Sequence, residues 1–237
     1  MQHSHQEAPS PETNPARPPL GARERNRADR SARVLAAASE LFLERGYADT
    51  STQQIADHAG LPVATLFRYA GSKAELLMLV TNYSFRTAIE SGARDAAHAP
   101  GPVSACLAIL TPVVRSSLRA PELTGHFQRE LTFGPPEAPG RAAGLALVDL
   151  LVTELRRCFF GSGGNAPAAA QVAAESLFAS LHLLLVQALA HEHTEEHIMT
   201  TLSAQATLLA AGLNVRNHST DPTRAGAPAT GNEAHHD

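Results

Sequence analysis

Apolar positions recur at helical spacing along most of the chain. Val34, Ala38 and Leu41, with Leu35 and Phe42 beside them, form one stripe that stops at Gly46, a good residue for closing a helix. They predict a first helix over about 26–45. Thr50 is followed three positions on by Gln53, and Ser51 by Gln54; both pairs fit a capping box, so a short second helix starts here and ends near Ala59-Gly60. Leu61-Pro62 opens a third helix over about 62–69, since proline suits a first helical turn. Gly71 breaks it. Ser72 with Glu75 caps a long fourth helix carrying Leu76, Leu79, Val80 and Tyr83 on one face. Clusters of proline and glycine at 100–102, 120–121, 134–140 and 161–164, and the polar run His191–Thr194, divide the rest. Helices over about 102–119, 121–132, 141–160, 166–190 and 194–213 result. The pattern gives nine helices and no strand-like alternation, an all-α fold.

Both ends lack this pattern. Residues 1–22 carry prolines at 9, 11, 15, 18 and 19, and residues 216–237 are rich in Asn, His, Thr, Pro and Gly; neither stretch can build a packed core. The folded part is expected over about 25–215. Of the 237 residues 43% are hydrophobic, enough for a sizeable core, and the net charge of −4 advertises no global positive field. The sign is uneven, however. Arg23, Arg25, Arg27, Arg30 and Arg33 stand against only Glu24 and Asp29, so the first helix opens on a basic stripe. The two cysteines, Cys106 and Cys158, have no motif spacing; the preference of free thiols for burial favours core cysteines in a reducing compartment over a redox sensor. The polar N-terminus lacks the apolar stretch of a signal peptide, and no run of about 18 apolar residues predicts a membrane span. A cytoplasmic protein, able to act at the nucleoid, is expected.

Two short helices joined by Ala59-Gly60-Leu61 have a helix-turn-helix layout, with Ile55, Ala56 and Leu66 as the apolar trio between them. The surrounding stretch from Arg33 to Val80 closely resembles the N-terminal domain of the TetR family of transcriptional regulators. The resemblance rests on Leu41-Phe42 and Gly46-Tyr47 at the end of helix one, Thr50-Ser51, Ile55-Ala56, Ala59-Gly60, Thr65-Leu66 and Ser72-Lys73-Ala74-Glu75-Leu76. It covers about a fifth of the chain. It implies a helix-turn-helix DNA-binding domain over 23–82, a ligand-binding and dimerisation domain over 83–215, and tails at 1–22 and 216–237.

The resemblance also implies roles for single residues. The segment from Thr50 through Ser51 to Gln53 falls where helix-start amides and hydroxyls hold a phosphate. Thr65, Phe67, Tyr69 and Lys73 fall where the family contacts the DNA backbone, and Pro62, Val63, Ala64 and Arg68 where it faces bases. The chain departs from the family at Phe67, usually tyrosine, and at Ala70, usually phenylalanine. The recognition helix itself offers three apolar side chains and one strong donor. Pro62, Val63 and Ala64 can touch thymine methyls, and Arg68 suits guanine O6 and N7. A half-site with T-rich positions and one guanine follows. Replacing Arg68 by alanine is then expected to cost about 1–3 kcal/mol at sites carrying that guanine.

The C-terminal part carries no motif of its own. Ala168–Ala190 is apolar on nearly every face, which predicts burial all round, and Thr194–Leu213 has one stripe of Ile198, Leu202, Leu209 and Leu213. Pairing both helices with a second copy would form a four-helix interface. The resemblance further implies an apolar pocket for a small-molecule ligand whose binding shifts the fourth helix and releases DNA from a repressor. Candidate lining residues are Phe85, Ile89, Cys106, Leu110, His126, Phe127, Glu130, Phe133, Leu147, Leu151 and His182. The run from His191 and His193 to His197 suggests zinc ligands, but Thr194 before Glu195-Glu196 reads better as a helix cap. No phosphate loop, nucleophile elbow or HExxH occurs, so neither an enzyme nor a cofactor is expected. The competing readings are a helical small-molecule binder that has lost DNA binding, or a metal-responsive sensor.

Overall fold

A computed structural model describes residues 21–160, 167–191 and 193–219. The tails and the Gly161–Gly164 break predicted above lie largely outside the described residues. Within them every regular element is a helix: α1 (Ala22–Arg45), α2 (Thr52–His58), α3 (Val63–Leu66), α4 (Lys73–Ala96), α5 (Pro102–Arg119), α6 (Pro121–Phe133), α7 (Pro139–Phe160), α8 (Pro167–His191) and α9 (Glu195–Ser219).

The breakers act where the pattern placed them. Gly46 closes α1 with φ +82°, and Gly60 turns between α2 and α3 with φ +64°, a region that glycine enters without a Cβ penalty. Pro102 and Pro121 open α5 and α6 in the first turn, where no N–H is needed. Pro62 stands one place earlier than expected: with ψ 140° it is the N-cap of α3 rather than its first helical residue. The α-helix proper then spans only Val63–Leu66. Its last turn tightens, with Arg68 N–H donating to the Thr65 carbonyl and Tyr69 N–H to that of Leu66, so the helical turn still reaches residue 69.

Two hydrophobic clusters organise the chain. The first joins Val34, Leu41 and Phe42 of α1, Ile55 and Ala56 of α2, Leu66 of α3, and Leu76 and Leu77 of α4, with Leu123 from α6. The second joins α4, α5, α7, α8 and α9 around Ile109, Leu110, Leu151, Leu177 and Leu202. Helix α4 runs through both. Small residues let its neighbours approach: Gly92 lies against Ile109 and Ala108 of α5, and Gly140 and Gly144 of α7 lie against Met78 and Asn82.

Within the single chain only one side of helix α8 is buried. Ala170, Ala174, Leu177, Leu181 and Leu185 face the core, but Val172, Ala179, Leu183 and Val186 are exposed on the opposite side. Ala168–Leu189 is also long and apolar enough, at mean hydropathy 1.6, to pass as a membrane span. Scattered polar residues such as Gln171, Glu175 and His182 interrupt any unbroken apolar run of about 18 residues. Its inner face is core packing.

The two cysteines meet inside the second cluster. Cys106 of α5 is fully buried, and Cys158 of α7, half-buried, packs against the same cluster. Hydrogen bonding between the two thiols is the main reason the Cys158 thiol titrates below its ordinary range, whereas the same interaction, and then burial, push Cys106 far up. Iodoacetamide at neutral pH should therefore alkylate Cys158 well before Cys106. Peptide mapping by mass spectrometry reads the order, and earlier labelling of Cys106 would contradict this assignment.

Candidate nucleic-acid interface

The helix-turn-helix is built by caps and one inward hydroxyl. Of the two capping boxes the sequence allowed, the second forms: Gln54 N–H donates to Ser51 Oγ (3.2 Å) and Ser51 N–H to Gln54 Oε1 (2.7 Å). Thr50 turns inward instead. It is 1% exposed, and its hydroxyl lies 2.8 Å from the Gly46 carbonyl and 3.1 Å from that of Leu41. It ties off the end of α1 and is not presented to a phosphate. Gln53 is exposed and donates to Asp57 (2.8 Å). Valine at Thr50 keeps the shape but leaves these carbonyls without their donor. It should cost about 1–3 kcal/mol of stability, read from the urea midpoint, while the folded protein keeps its DNA affinity. A specific affinity loss without a stability loss would restore the phosphate role.

Lys73 is likewise drawn inward. Its Nζ donates to the Ala48 carbonyl (3.1 Å) and sits 4.4 Å from the centroid of the Tyr47 ring, fastening the α1–α2 loop to the start of α4. The same loop is gripped from α6. His126 packs on Tyr47 at 4.4 Å between ring centroids, and the Ala48 N–H donates to Glu122 (3.3 Å). Burial, and then the charge of Glu130, hold the Tyr47 hydroxyl above its ordinary titration range. Glu75 makes only half of the expected box: its N–H donates to Ser72 Oγ (3.1 Å), but its carboxylate accepts the Gly140 N–H of α7 (3.0 Å). Asn82 reinforces that joint by donating to the Gly140 carbonyl (2.9 Å).

Around α3, Pro62, Ala64, Phe67 and Arg68 are exposed, and Val63, Thr65 and Tyr69 half-buried, with Val63 and Tyr69 packed against the first cluster. Ala70 is buried in that cluster, so the smaller side chain is accommodated there. Arg68 does not stand alone. With Tyr69 it borders a polar cleft whose other wall is Asn26, Arg27 and Arg30 of α1. Among the described residues no carboxylate pairs with Arg27, Arg30 or Arg68. This joining of the basic stripe to the recognition helix could not be read from their separation in sequence.

A cavity of about 670 Å³ lies between α4, α5, α6 and α8 and reaches α1 at Ser39 and Leu43. Phe85, Phe127 and His182 line it. The other expected lining residues lie elsewhere. Ile89, Cys106, Leu110, Leu147 and Leu151 are buried core, and Phe133 is 82% exposed. His126 is engaged at Tyr47 and lies 3.7 Å from Glu122 rather than beside a ligand site with Glu130. The sequence singled out large apolar residues, whereas much of the wall is small: Ser84, Ala88, Ser91, Ser116 and Ala120. Near α9, Thr194 caps the helix through the His197 N–H (3.2 Å), and His193 stacks on His197. Glu195 pairs with Arg115 of α5 (2.7 Å). Among the described residues no group of three metal-ligating side chains occurs; the His191 side chain and Glu192 lie outside them.

Comparison with known proteins agrees with this geometry. Residues 34–79 match the family described as bacterial regulatory proteins, tetR family. The HTH-type transcriptional activator FasR of Mycolicibacterium smegmatis is 42% identical over 67 residues, a match that spans 27% of this chain and only 31% of that protein. A putative transcriptional regulator from Rhodococcus sp. RHA1 superposes with TM-score 0.60 at 19% identity, over 78% of this chain and 96% of that one. RolR, solved in complex with resorcinol, superposes with TM-score 0.59 at 20% identity, over 79% and 96%. Residues 34–79 thus carry a helix-turn-helix that matches the tetR family of bacterial regulatory proteins, held by these caps and joints on a helical scaffold similar in fold to solved regulators.

Proposed function

We propose that this chain is a sequence-specific operator-binding repressor that acts in the bacterial cytoplasm as a homodimer and leaves DNA when a small molecule fills the cavity. The cavity carries this reading. It is roomy enough for one drug-sized molecule, and its wall includes Ser39 and Leu43 of α1, so an occupant touches the DNA-binding half directly. It also touches α6, whose Glu122 and His126 hold the Tyr47 loop. A shift of α6 or α4 would therefore move α2 and α3. Two recognition helices must match half-sites about 34–36 Å apart, so a small change of separation is costly. RolR, a neighbour in fold, was solved with a small phenol bound.

The DNA contacts divide by chemistry. Ser51 and Gln53 at the exposed start of α2, with Thr65, Phe67 and Tyr69, serve the backbone. Pro62, Val63 and Ala64 face thymine methyls, and Arg68 reads guanine beside the cationic wall of Arg27 and Arg30. A gel shift with the intergenic DNA beside the chain's own gene tests the reading. Binding is expected, and Arg68→Ala should lose about 1–3 kcal/mol only on sites carrying the guanine. A uniform loss would make Arg68 a phosphate contact. No binding to this or to randomised DNA would leave a ligand-binding protein without an operator. Transcription from the bound promoter separates repression from the activation that FasR is named for.

The partner surface is proposed at α8 and α9. Val172, Leu183 and Val186 are exposed on α8, and Ala204, Leu208 and Ala211 on α9. Burying this face against its symmetry mate gives a four-helix interface.

A further inference from the structure

The ligand-release reading leaves the chemistry of the ligand open, and the cavity wall narrows it. Among the described residues twenty-six line the cavity, and none of them is aspartate or glutamate, although the chain as a whole carries net charge −4. The apolar part is formed by Leu43, Phe85, Phe127, Phe178, Leu181 and Leu185, among others. The threonine hydroxyls are already spent on their own backbone: Thr81 donates to Leu77, Thr87 to Tyr83 and Thr124 to Ser117.

The fixed charges on the wall are two arginines from the last turns of α5, Arg115 and Arg119. They differ in what they already hold. Arg115 is neutralised by Glu195 of α9 at 2.7 Å. Arg119 has no carboxylate within ion-pair distance among the described residues. It stands at the end of α5, directly before Ala120, which packs on the cluster of the DNA-binding half. A guanidinium without a counter-ion at the edge of an apolar cavity favours an anionic head, because a charge-assisted hydrogen bond is about twice as strong as a neutral one.

We propose that the cavity binds a lipophilic monoanion, its apolar body among the phenylalanines and leucines of α4, α6 and α8 and its carboxylate or sulfonate on Arg119. This rests on the ligand-release reading. It adds that the charged end of the ligand sits at the α5–α6 corner, beside the joint to the DNA-binding half. Arg115, already paired, contributes less.

A matched pair of fluorescent probes tests it on the full-length protein, which has no tryptophan to interfere. One is 1-anilinonaphthalene-8-sulfonate; the other is N-phenyl-1-naphthylamine, the same ring system without the sulfonate. The sulfonate should bind with one site per protomer and at least about tenfold more tightly than the amine. Arg119→Gln, a substitution at an exposed position, should remove that preference by weakening the sulfonate alone. Ser84→Trp and Ser116→Trp, which narrow the cavity from α4 and α5, should weaken both probes. If the tryptophan variants block both probes but Arg119→Gln leaves the preference intact, or if the wild type shows no preference, the anion assignment is overturned while the ligand cavity stands. If the tryptophan variants leave both probes bound as in the wild type, the cavity is not the ligand site and both readings fall.

Discussion

Glutamate at both Leu183 and Leu208 should leave the chain folded but monomeric, and should cut operator affinity by about 10²–10⁴-fold. That range is what linking two binding modules adds without any new contact. Leu208 is 73% exposed and Leu183 56%, so neither supports the core, and a charge there costs the isolated protomer little. In a paired four-helix interface the same carboxylates would lie buried and unpaired, next to their own copies, which is strongly unfavourable. Each half-site then has to be held by one short recognition helix that offers a single strong base donor. Sedimentation velocity gives the oligomeric state and a gel shift the affinity. A double variant that remains dimeric and binds as the wild type would remove α8 and α9 as the interface.

The second large effect is expected at Gly92. A Cβ built there lies 2.6 Å from Ile109 Cα and 2.8 Å from the Ala108 and Ile109 carbonyl oxygens. All three are backbone atoms of α5, so no side-chain rotation relieves the contact. Valine at this position must push α4 and α5 apart over the core between them. Overpacking costs typically 1–3 kcal/mol, and contact with backbone places Gly92→Val at the upper end, about 3 kcal/mol. For a chain of this size that is a fall of roughly 6–12 °C in Tm. Calorimetry or a urea titration reads it, and an unchanged midpoint would show that the two helices are not held this closely. Because α4 also carries the Ser72–Glu75 start beside the DNA-binding half, the folded fraction should bind operator less well too.

The helices were legible because their signals are local. Apolar spacing, the glycines with positive φ, the first-turn prolines and the Ser51 and Ser72 caps each act within a turn or two, so nearly every boundary falls within a few residues of its expected place. The helix-turn-helix was legible for the same reason. The destinations of polar side chains were not. Thr50 and Ser51 read alike in sequence, yet one is an inward tie and the other a cap, because the packed end of α1 brings the Leu41 and Gly46 carbonyls within reach of Thr50. Glu75 had a cap partner within reach and takes an amide of α7 instead.

The cavity shows the limit most clearly. Its walls come from six helices, and a void is a property of how their surfaces fail to meet, which no single stretch encodes. Large apolar residues such as Leu110 and Leu151 filled the core, while serines and alanines were left around the space. The sequence by itself therefore determined which segments are helical, where they turn, and that the N-terminal part carries a helix-turn-helix. Only the tertiary structure decided which arginines share a cleft, which loop α6 and Lys73 grip, where the two thiols meet and where the cavity lies. Those outcomes depend on contacts between residues tens of positions apart, and such contacts exist only after the helices have packed.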